Sequence, residues 1–137
     1  MNSFNVFKVS ASALDAQRQR MNVIASNMAN VHSTRTDEGG PYRRKDVIFS
    51  AAEAQSDSDT LTGVKVVDVV ADSTPFRTVY DPGHPDANKD GFVAMPNINI
   101  IEEMVNMMMA SRAYEASVSA FNMSKAMFLK TLELGRQ

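Results

Sequence analysis

The residues of this chain best suited to bind a metal ion lie between positions 86 and 91. They read D-A-N-K-D-G, the first six positions of a calcium loop in which side-chain oxygens alternate around the ion and glycine makes the sharp turn. The twelfth position of such a loop needs a bidentate glutamate, and this chain has Asn97 there. The segment is therefore interpreted as a polar turn that ends at glycine, and no metal or other cofactor is expected.

A second candidate for chemistry is His84, which lies between Asp81 and Asp86. A histidine flanked by carboxylates suits general acid–base catalysis. The only other histidine is His32, and the chain contains no G-x-S-x-G nucleophile motif, no H-E-x-x-H pattern and no glycine-rich phosphate loop. We interpret His84 as a loop histidine beside turn-forming acids, so no catalytic residue and no enzymatic activity are expected.

Positions 43–45 form a short basic run, Arg43-Arg44-Lys45. Two interpretations stay open at this stage: a site for an acidic partner surface, or a solvated loop. The net charge is −2, so a broad electrostatic contact with nucleic acid or anionic lipid is not expected. No nucleic-acid partner is expected.

Composition limits the cellular context. The chain has no cysteine, which excludes disulfides and thiolate chemistry. Polar residues interrupt the first ten positions, unlike the apolar core of a signal peptide, and no apolar run approaches the roughly 18 residues of a membrane span. We therefore expect no transmembrane segment, and any export to proceed without a cleaved signal peptide.

The elements that position these loops are two long helices with heptad stripes. In the first stripe apolar residues recur at alternating three- and four-residue spacing: Phe4, Phe7, Ala11, Leu14, Met21, Ala25 and Met28, interrupted by Arg18. The second stripe repeats the pattern: Met104, Met107, Tyr114, Val118, Phe121, Phe128 and Leu132, interrupted by Ser111 and Lys125. These patterns predict helices from near Ser3 or Asn5 to about Val31, and from Asn97 or Asn99 to about Leu134.

The outer face of the first helix is unusually poor in charge. Residues 1–31 carry four charged side chains, whereas residues 32–97 carry eighteen, and a solvated helix face normally carries glutamate and lysine. Amides and hydroxyls take those places, which predicts a helix enclosed by partners on several sides. The residues expected to carry packing and assembly are Phe4, Phe7, Leu14, Met21, Ile24, Asn27, Met28, Asn30, Met104, Met107, Tyr114, Val118, Phe121, Phe128 and Leu132.

The middle of the chain predicts a small β element. Strand candidates are Lys45–Ser50, 64–70, 76–80 and 92–95, and a mobile loop is expected at about 51–62. The predicted fold is mainly α with a small β element: an antiparallel pair of long N- and C-terminal coiled-coil helices with a small β-rich lobe at their joined end. The predicted divisions are 1–31 (first helix), 32–97 (β-rich middle lobe) and 98–137 (second helix).

Several motifs resemble those of a known family. Residues 10–30, which read S-A-S-A-L-D-A-Q-R-Q-R-M-N-V-I-A-S-N-M-A-N, closely resemble the N-terminal signature of bacterial flagellar rod and hook proteins. Residues 39–44, 81–88, 103–108 and 111–116 look like those of its proximal-rod members, so the resemblance spans essentially the whole chain. Departures are small: Ser117, Phe92 and Met28 stand where the family usually has Asn, Tyr and Ile. The change at Ser117 puts one helix-face contact in doubt.

The resemblance implies an exported, non-enzymatic structural subunit of the flagellar basal body. Such a subunit polymerises with other rod proteins and copies of itself into a tubular drive shaft that spans the periplasm, transmits torque and passes exported subunits. Its implied partners include basal-body components near the membrane ring and the flagellar type III export apparatus. The alternatives are another rod or hook-family axial subunit, and a secreted coiled-coil binding protein such as an effector or chaperone.

Overall fold

The computed structural model of the protein describes residues 3–52 and 62–136, and in the first helix it describes side chains from Asn5 onward. Residues 53–61, most of the segment expected to be a mobile loop, lie outside the described residues. So do the side chains of Ser3 and Phe4. The expectations about that loop, about capping by Ser3 and about packing by Phe4 therefore stay predictions.

Two helices account for most of the regular structure. Helix α1 runs over Ser3–Ala29 and helix α2 over Ile100–Leu134, and neither range contains glycine or proline, the residues that most disfavour a helix interior. The Asn99 side chain caps α2 by accepting a 3.1 Å hydrogen bond from the Ile101 N–H. At the other end Gly135 is the C-cap. Both bounds of α2 lie close to the predicted ones.

The two helices pack antiparallel. The Phe7 ring of α1 lies edge-on to Phe121 and Phe128 of α2, with ring centroids 5.3 and 6.1 Å apart. Near the other end Asn27 is hydrogen-bonded to Glu103. We call the end at Phe7 the free end of the helix pair and the end at Asn27 the joined end. The predicted fold class, mainly α with a small β element, is confirmed.

The strands form two separate antiparallel pairs. Strand β1 (Lys45–Ala51) pairs with β2 (Val64–Ala71), and β3 (Arg77–Tyr80) pairs with β4 (Phe92–Met95). The four ranges agree with the strand candidates to within a residue. The loop between β3 and β4 turns back through Gly91, whose positive φ of 80° suits glycine.

A β-bulge sets which side chains of β2 share a face. Phe49 pairs with Val66 but Ile48 pairs with Asp68, so Val67 is an extra residue with no cross-strand partner. Residues three apart in a regular strand face opposite sides, but the extra residue shifts the side-chain alternation by one. Val66 and Val69 therefore lie on the same face of the hairpin as their partners Phe49 and Val47. This face is apolar along both strands.

The β1–β2 hairpin lies along α1 rather than only at the joined end, where the lobe was expected. Lys45, at the start of β1, bonds to Asn27, and Val64, at the start of β2, donates a 3.0 Å hydrogen bond to the Ser12 hydroxyl. These two positions of α1 are about 22 Å apart along the helix. The physical reason is the apolar face of the hairpin, which needs a cover that α1 supplies.

Few side chains are fully buried. Among the described residues the buried hydrophobic set is Ala16, Ile24, Val93, Ile98 and Ala110. Three of these lie on the helices, two on or beside β4, so the core is thin and extended rather than compact. No described helix combines the length and apolar character that crossing a membrane requires.

Candidate assembly surface

The loop between β3 and β4 uses its polar groups to hold its own conformation. The two Asp86 carboxylate oxygens accept from the Thr34 hydroxyl (2.9 Å) and pair with Arg35 (2.7 Å). The Asn88 side-chain oxygen accepts from the N–H groups of Asp90 and Phe92 at 3.0 and 2.8 Å. A calcium loop would direct these oxygens at the ion; here Asn88 closes a turn of the loop and Asp86 ties the loop to residues 34 and 35. Among residues 3–52 and 62–136 no cluster of three His, Cys, Asp or Glu side chains is placed to hold a metal.

His84 also has a local role. Its Nδ1 accepts a 3.1 Å hydrogen bond from the Asp86 N–H, while Asp81 accepts from the Gly83 N–H at 3.2 Å. The His84 and Asp81 side chains therefore accept from the loop backbone, while the Asp86 carboxylate contacts Thr34 and Arg35. This is the geometry of a turn.

The two arginines of the basic run turn inward, while Lys45 is exposed. Arg43 donates to the backbone carbonyls of Asp72 and Thr74 at 2.9 and 3.1 Å and lies 4.1 Å from the centroid of the Phe76 ring. Arg44 pairs with Glu103 at 2.9 Å. The two arginines thus contact acceptors within their own chain, a third arrangement that neither sequence interpretation included.

Arg44 is the cation at the centre of a larger ionic cluster. Besides Glu103 it contacts Asp46 at 3.2 Å and Asp72 at 3.5 Å, and its side chain is 18% exposed. Burial by itself lowers the pKa of Arg44, but the hydrogen bond and charge of Glu103, together with Asp46, outweigh it and raise the pKa above its ordinary value. The guanidinium therefore stays charged and fixes the carboxylates around it.

Asn27 links this cluster to α1 and β1. Its side-chain nitrogen donates to the Lys45 carbonyl (2.7 Å) and to Glu103 Oε2 (2.9 Å). Its oxygen accepts from the Lys45 N–H (2.9 Å) and the Tyr42 hydroxyl (3.3 Å). The amide thus pairs with Lys45 as a neighbouring strand residue would. Asn27, Arg44 and Glu103 together are called the polar node below.

The polar node fixes the joined end. Asn27 is 0% exposed and Glu103 1% exposed, and buried polar groups of this kind are tolerated only when hydrogen-bonded. Each partner comes from a different element: α1, the start of β1 and the first turn of α2. Asn97 adds a further tie by accepting the Arg44 N–H at 2.9 Å. Relative register of the three elements is therefore set by directional bonds.

Most of the predicted packing residues are buried or partly buried in the single chain. Ile24 and Asn27 are buried, and those that are intermediate are Phe7, Leu14, Met21, Met28, Asn30, Met107, Tyr114, Val118, Phe121 and Phe128. Two predicted positions face outward in the single chain: Met104 is 54% exposed and Leu132 53%. Their role in assembly stays a prediction.

The inward face of α2 is displaced by about one position from the predicted stripe at its start. Glu103 and Ala110 are buried where Met104 and Ser111 were expected to face α1. On α1 the expected stripe members Ala11 and Ala25 are exposed, because α1 packs against α2 on one side and the β1–β2 hairpin on another. A search for apolar residues at heptad spacing does not identify Glu103 as an inward-facing residue. Its spacing of three residues to Asn106 and seven to Ala110 nevertheless places the three on one helix face.

The outward face of α2 is the most apolar surface of the described chain. Eleven of the seventeen large hydrophobic side chains classed as exposed lie on this helix. One stripe of it comprises Met104, Val105, Met108 and Met109, at helical spacing. A contiguous exposed apolar face of this kind marks an interaction surface.

Comparison with known proteins shows two matching family models and full-length relatives. Residues 7–35 match the family described as flagella basal body rod protein, and residues 89–134 match the C-terminal region of the flagellar basal body rod FlgEFG proteins. The chain is 47% identical over 136 residues to the flagellar basal-body rod protein FlgC of Escherichia coli O6:H1, which covers 99% of this chain and 100% of the relative. The corresponding FlgC of Bacillus subtilis is 42% identical over 151 residues, with 99% and 100% coverage.

Proposed function

The chain belongs to the FlgC family of flagellar basal-body rod proteins, and from this premise we propose that it polymerises into the proximal part of the rod. Its role is structural. In the proposed assembly it packs with other rod proteins and with copies of itself into a tube that spans the periplasm, transmits torque and passes exported subunits. We further propose export through the flagellar type III apparatus and contact with basal-body components near the membrane ring.

The observation that carries the proposal is the imbalance between buried and exposed apolar side chains. Five hydrophobic residues are buried in the described chain, whereas seventeen large ones are exposed. A soluble monomer rarely presents contiguous apolar patches of this kind, and burial of apolar surface is the main driving force of association. The core of such a subunit is completed by neighbours.

Side-by-side helix packing accounts for the stripe on α2. Met108 and Met109 are each more than half exposed, and the flexible thioether side chain adapts to neighbours that are not equivalent. Replacing both with Gln is expected to impair incorporation into the rod while the far-ultraviolet circular dichroism of the monomer stays unchanged. The matched control is Val67→Gln, a similarly exposed apolar position on β2; unimpaired incorporation of the Met variant would contradict this packing.

The isolated monomer should be least ordered toward its two chain ends, because terminal residues are held by neighbours on one side only. Amide hydrogen exchange of a dilute monomer is expected to be fast at the free end and slow around the polar node. Full protection of both helices along their entire lengths in the dilute monomer would refute the idea that neighbours complete their burial.

The experiment that tests the rod assignment is a deletion followed by fractionation of basal bodies. Deleting the gene is expected to leave the membrane ring present and to remove rod and hook, with motility restored by the intact chain. His84→Ala serves as a discriminating variant: normal rod assembly and normal motility are expected. Lost motility with a normally assembled rod would instead favour an enzymatic role.

A second candidate function is a secreted coiled-coil binding protein. Such a protein shares the heptads but has no need for a full-length relation to rod proteins, and the relatives cover this chain end to end. Retention of a complete rod and hook in the deletion strain would move the assignment to this candidate.

A further inference from the structure

The free end of the helix pair carries an apolar groove. The described residues that line it include Val6 and Phe7 from α1 and Met127, Phe128 and Leu132 from α2, and its volume is about 210 Å³. An apolar cavity of roughly 150 Å³ is enough to take up benzene, so the groove has room for a branched aliphatic side chain. It is open to solvent at the end of the molecule.

The joined end carries two exposed isoleucines. Ile100 and Ile101 occupy the first turn of α2 and are 45% and 69% exposed, and the exposed Glu102 follows them. The polar node holds this turn in place, since Glu103 is the next residue and is buried. A rigid aliphatic corner with an adjacent carboxylate results.

The net charge of the free end is opposite in sign to that of Glu102 at the joined end. At the free end, described residues 3–16 and 118–136 carry four basic side chains, Lys8, Lys125, Lys130 and Arg136, against the acidic Asp15 and Glu133. The excess of positive charge faces outward, because all four basic side chains are exposed. Opposite charge across an interface steers encounter and fixes orientation.

We propose that the groove at the free end receives the Ile101 corner of a second copy of this chain, with Glu102 of that copy among the lysines of the free end. The proposal rests on the proposed function, which it deepens by naming one axial contact and its occupant. Groove and corner lie at opposite ends of the same subunit, so the contact is heterologous and extends head to tail instead of closing into a symmetric dimer.

The first test measures self-association of the purified full chain by sedimentation velocity over a concentration series at low ionic strength. Ile101→Gln and Leu132→Gln are each expected to weaken association about tenfold or more, since each removes a large apolar contribution from the same contact. The matched control is Val67→Gln on β2, of similar exposure, and it is expected to associate like the unmodified chain. Met108→Gln reports lateral packing separately; weakening by Met108→Gln with none by Ile101→Gln would overturn the proposal.

Mixing the two variants tests the head-to-tail geometry directly. The Ile101→Gln chain keeps an intact groove and the Leu132→Gln chain keeps an intact corner, so an equimolar mixture is expected to form a dimer that does not extend, at concentrations where each variant alone is still monomeric. A mixture that stays monomeric, or an Ile101→Gln chain that associates normally alone, would refute the contact. Circular dichroism of each variant verifies that folding is retained.

A charge exchange supplies a second set of variants. Glu102→Lys and Lys125→Glu are each expected to weaken association, and the double variant is expected to recover part of it because both ends are reversed together. Added salt should reduce the effect. Additive losses in the double variant would argue against Glu102 meeting the free end.

These outcomes are separable from those of the rod assignment. If the variants fail to alter self-association but the deletion strain lacks a rod, the head-to-tail contact is wrong and the function stands. If the deletion strain assembles a complete rod, the function itself is wrong. The groove could instead receive a related axial subunit. In that case Ile101→Gln would leave self-association unchanged but impair incorporation into the rod, and this outcome also refutes the second-copy contact.

Discussion

Asn27 on α1 and Glu103 on α2, 76 positions apart in the sequence, are joined by a 2.9 Å hydrogen bond between two side chains that are almost completely buried. The same amide pairs with both backbone groups of Lys45. One side chain thus holds together the two helices and the first strand. Substitution of Asn27 therefore measures how strongly the joined end depends on hydrogen bonds rather than on buried apolar area.

Replacing Asn27 with Ala is expected to lower the free energy of unfolding by about 3 kcal/mol, because Glu103 and the Lys45 backbone lose partners while they stay buried. Urea denaturation monitored by circular dichroism measures the change. Asn22→Ala is the matched control, an exposed asparagine on the same helix, and should change the value by less than about 0.5 kcal/mol. Equal effects of the two substitutions would contradict the role given to Asn27.

The Arg44–Glu103 ion pair should show strong non-additivity. Arg44→Met alone leaves the Glu103 carboxylate buried beside Asp46 and Asp72 without its cation, and is expected to cost about 3 kcal/mol. Adding Glu103→Leu removes the orphaned charge, so the double variant should recover most of that loss. Denaturation of the two single variants and the double variant gives the coupling energy; losses that simply add would show that the pair is not coupled.

Stability should fall in acid partly through Asp72. The hydroxyl and the N–H of Thr74 donate to its carboxylate and hold the pKa of Asp72 below its ordinary value, with help from Arg44. A carboxylate whose folded pKa is lowered stabilises the fold above its unfolded pKa of about 3.9, and that contribution is lost as pH falls through the lowered folded pKa.

Urea midpoints measured from neutral pH down to strong acid test this dependence. Asp72→Asn is expected to be less stable than the unmodified chain above pH about 4 and to approach it at lower pH, so the two curves converge. Asp68→Asn, the same substitution at an exposed carboxylate on β2, is the matched control. Parallel curves for Asp72→Asn would exclude a lowered pKa.

Gly91→Ala should destabilise the β3–β4 turn. Gly91 has φ of +80°, and an added Cβ would stand 2.9 Å from Tyr80 Cε2 and 3.2 Å from Pro82 Cβ, so backbone strain and contact act together. A loss of about 2 kcal/mol is expected. Gly83→Ala in the same loop, where the nearest atom is 3.6 Å away, is the control and should be close to neutral in thermal unfolding. If Gly91→Ala did not change the stability, the turn geometry described for Gly91 would be wrong.

The heptad spacing and the punctuation residues predicted the helix and strand ranges well. Asn99 and Gly135 bound α2, and the β-branched run at 64–70 became β2, because capping, glycine punctuation and strand propensity act between neighbours in sequence. The arrangement of the strands was harder to predict. The strands form two separate sheets, and one hairpin packs along α1. This arrangement depends on which apolar faces pack against each other, which involves residues far apart in the sequence.

The same division applies to the candidate residues. Phe7, Phe121 and Phe128 were predicted from spacing alone and do meet across the helix pair. The buried ion pair of Glu103 and Arg44 was not predicted. A charged residue at a buried position contradicts the apolar pattern and is tolerated only when another element supplies its partner. Spacing therefore finds apolar contacts and misses ionic ones.

The sequence by itself determined that this chain forms two long antiparallel helices with a small β element, and its motifs identified the family, because helix period, caps and signature residues are local. Only the tertiary structure decided which face of each helix is turned inward and that Arg44 serves the chain's own Glu103. It also decided that apolar groove and aliphatic corner lie at opposite ends of one subunit. These depend on the register between elements, which buried hydrogen bonds from distant residues fix.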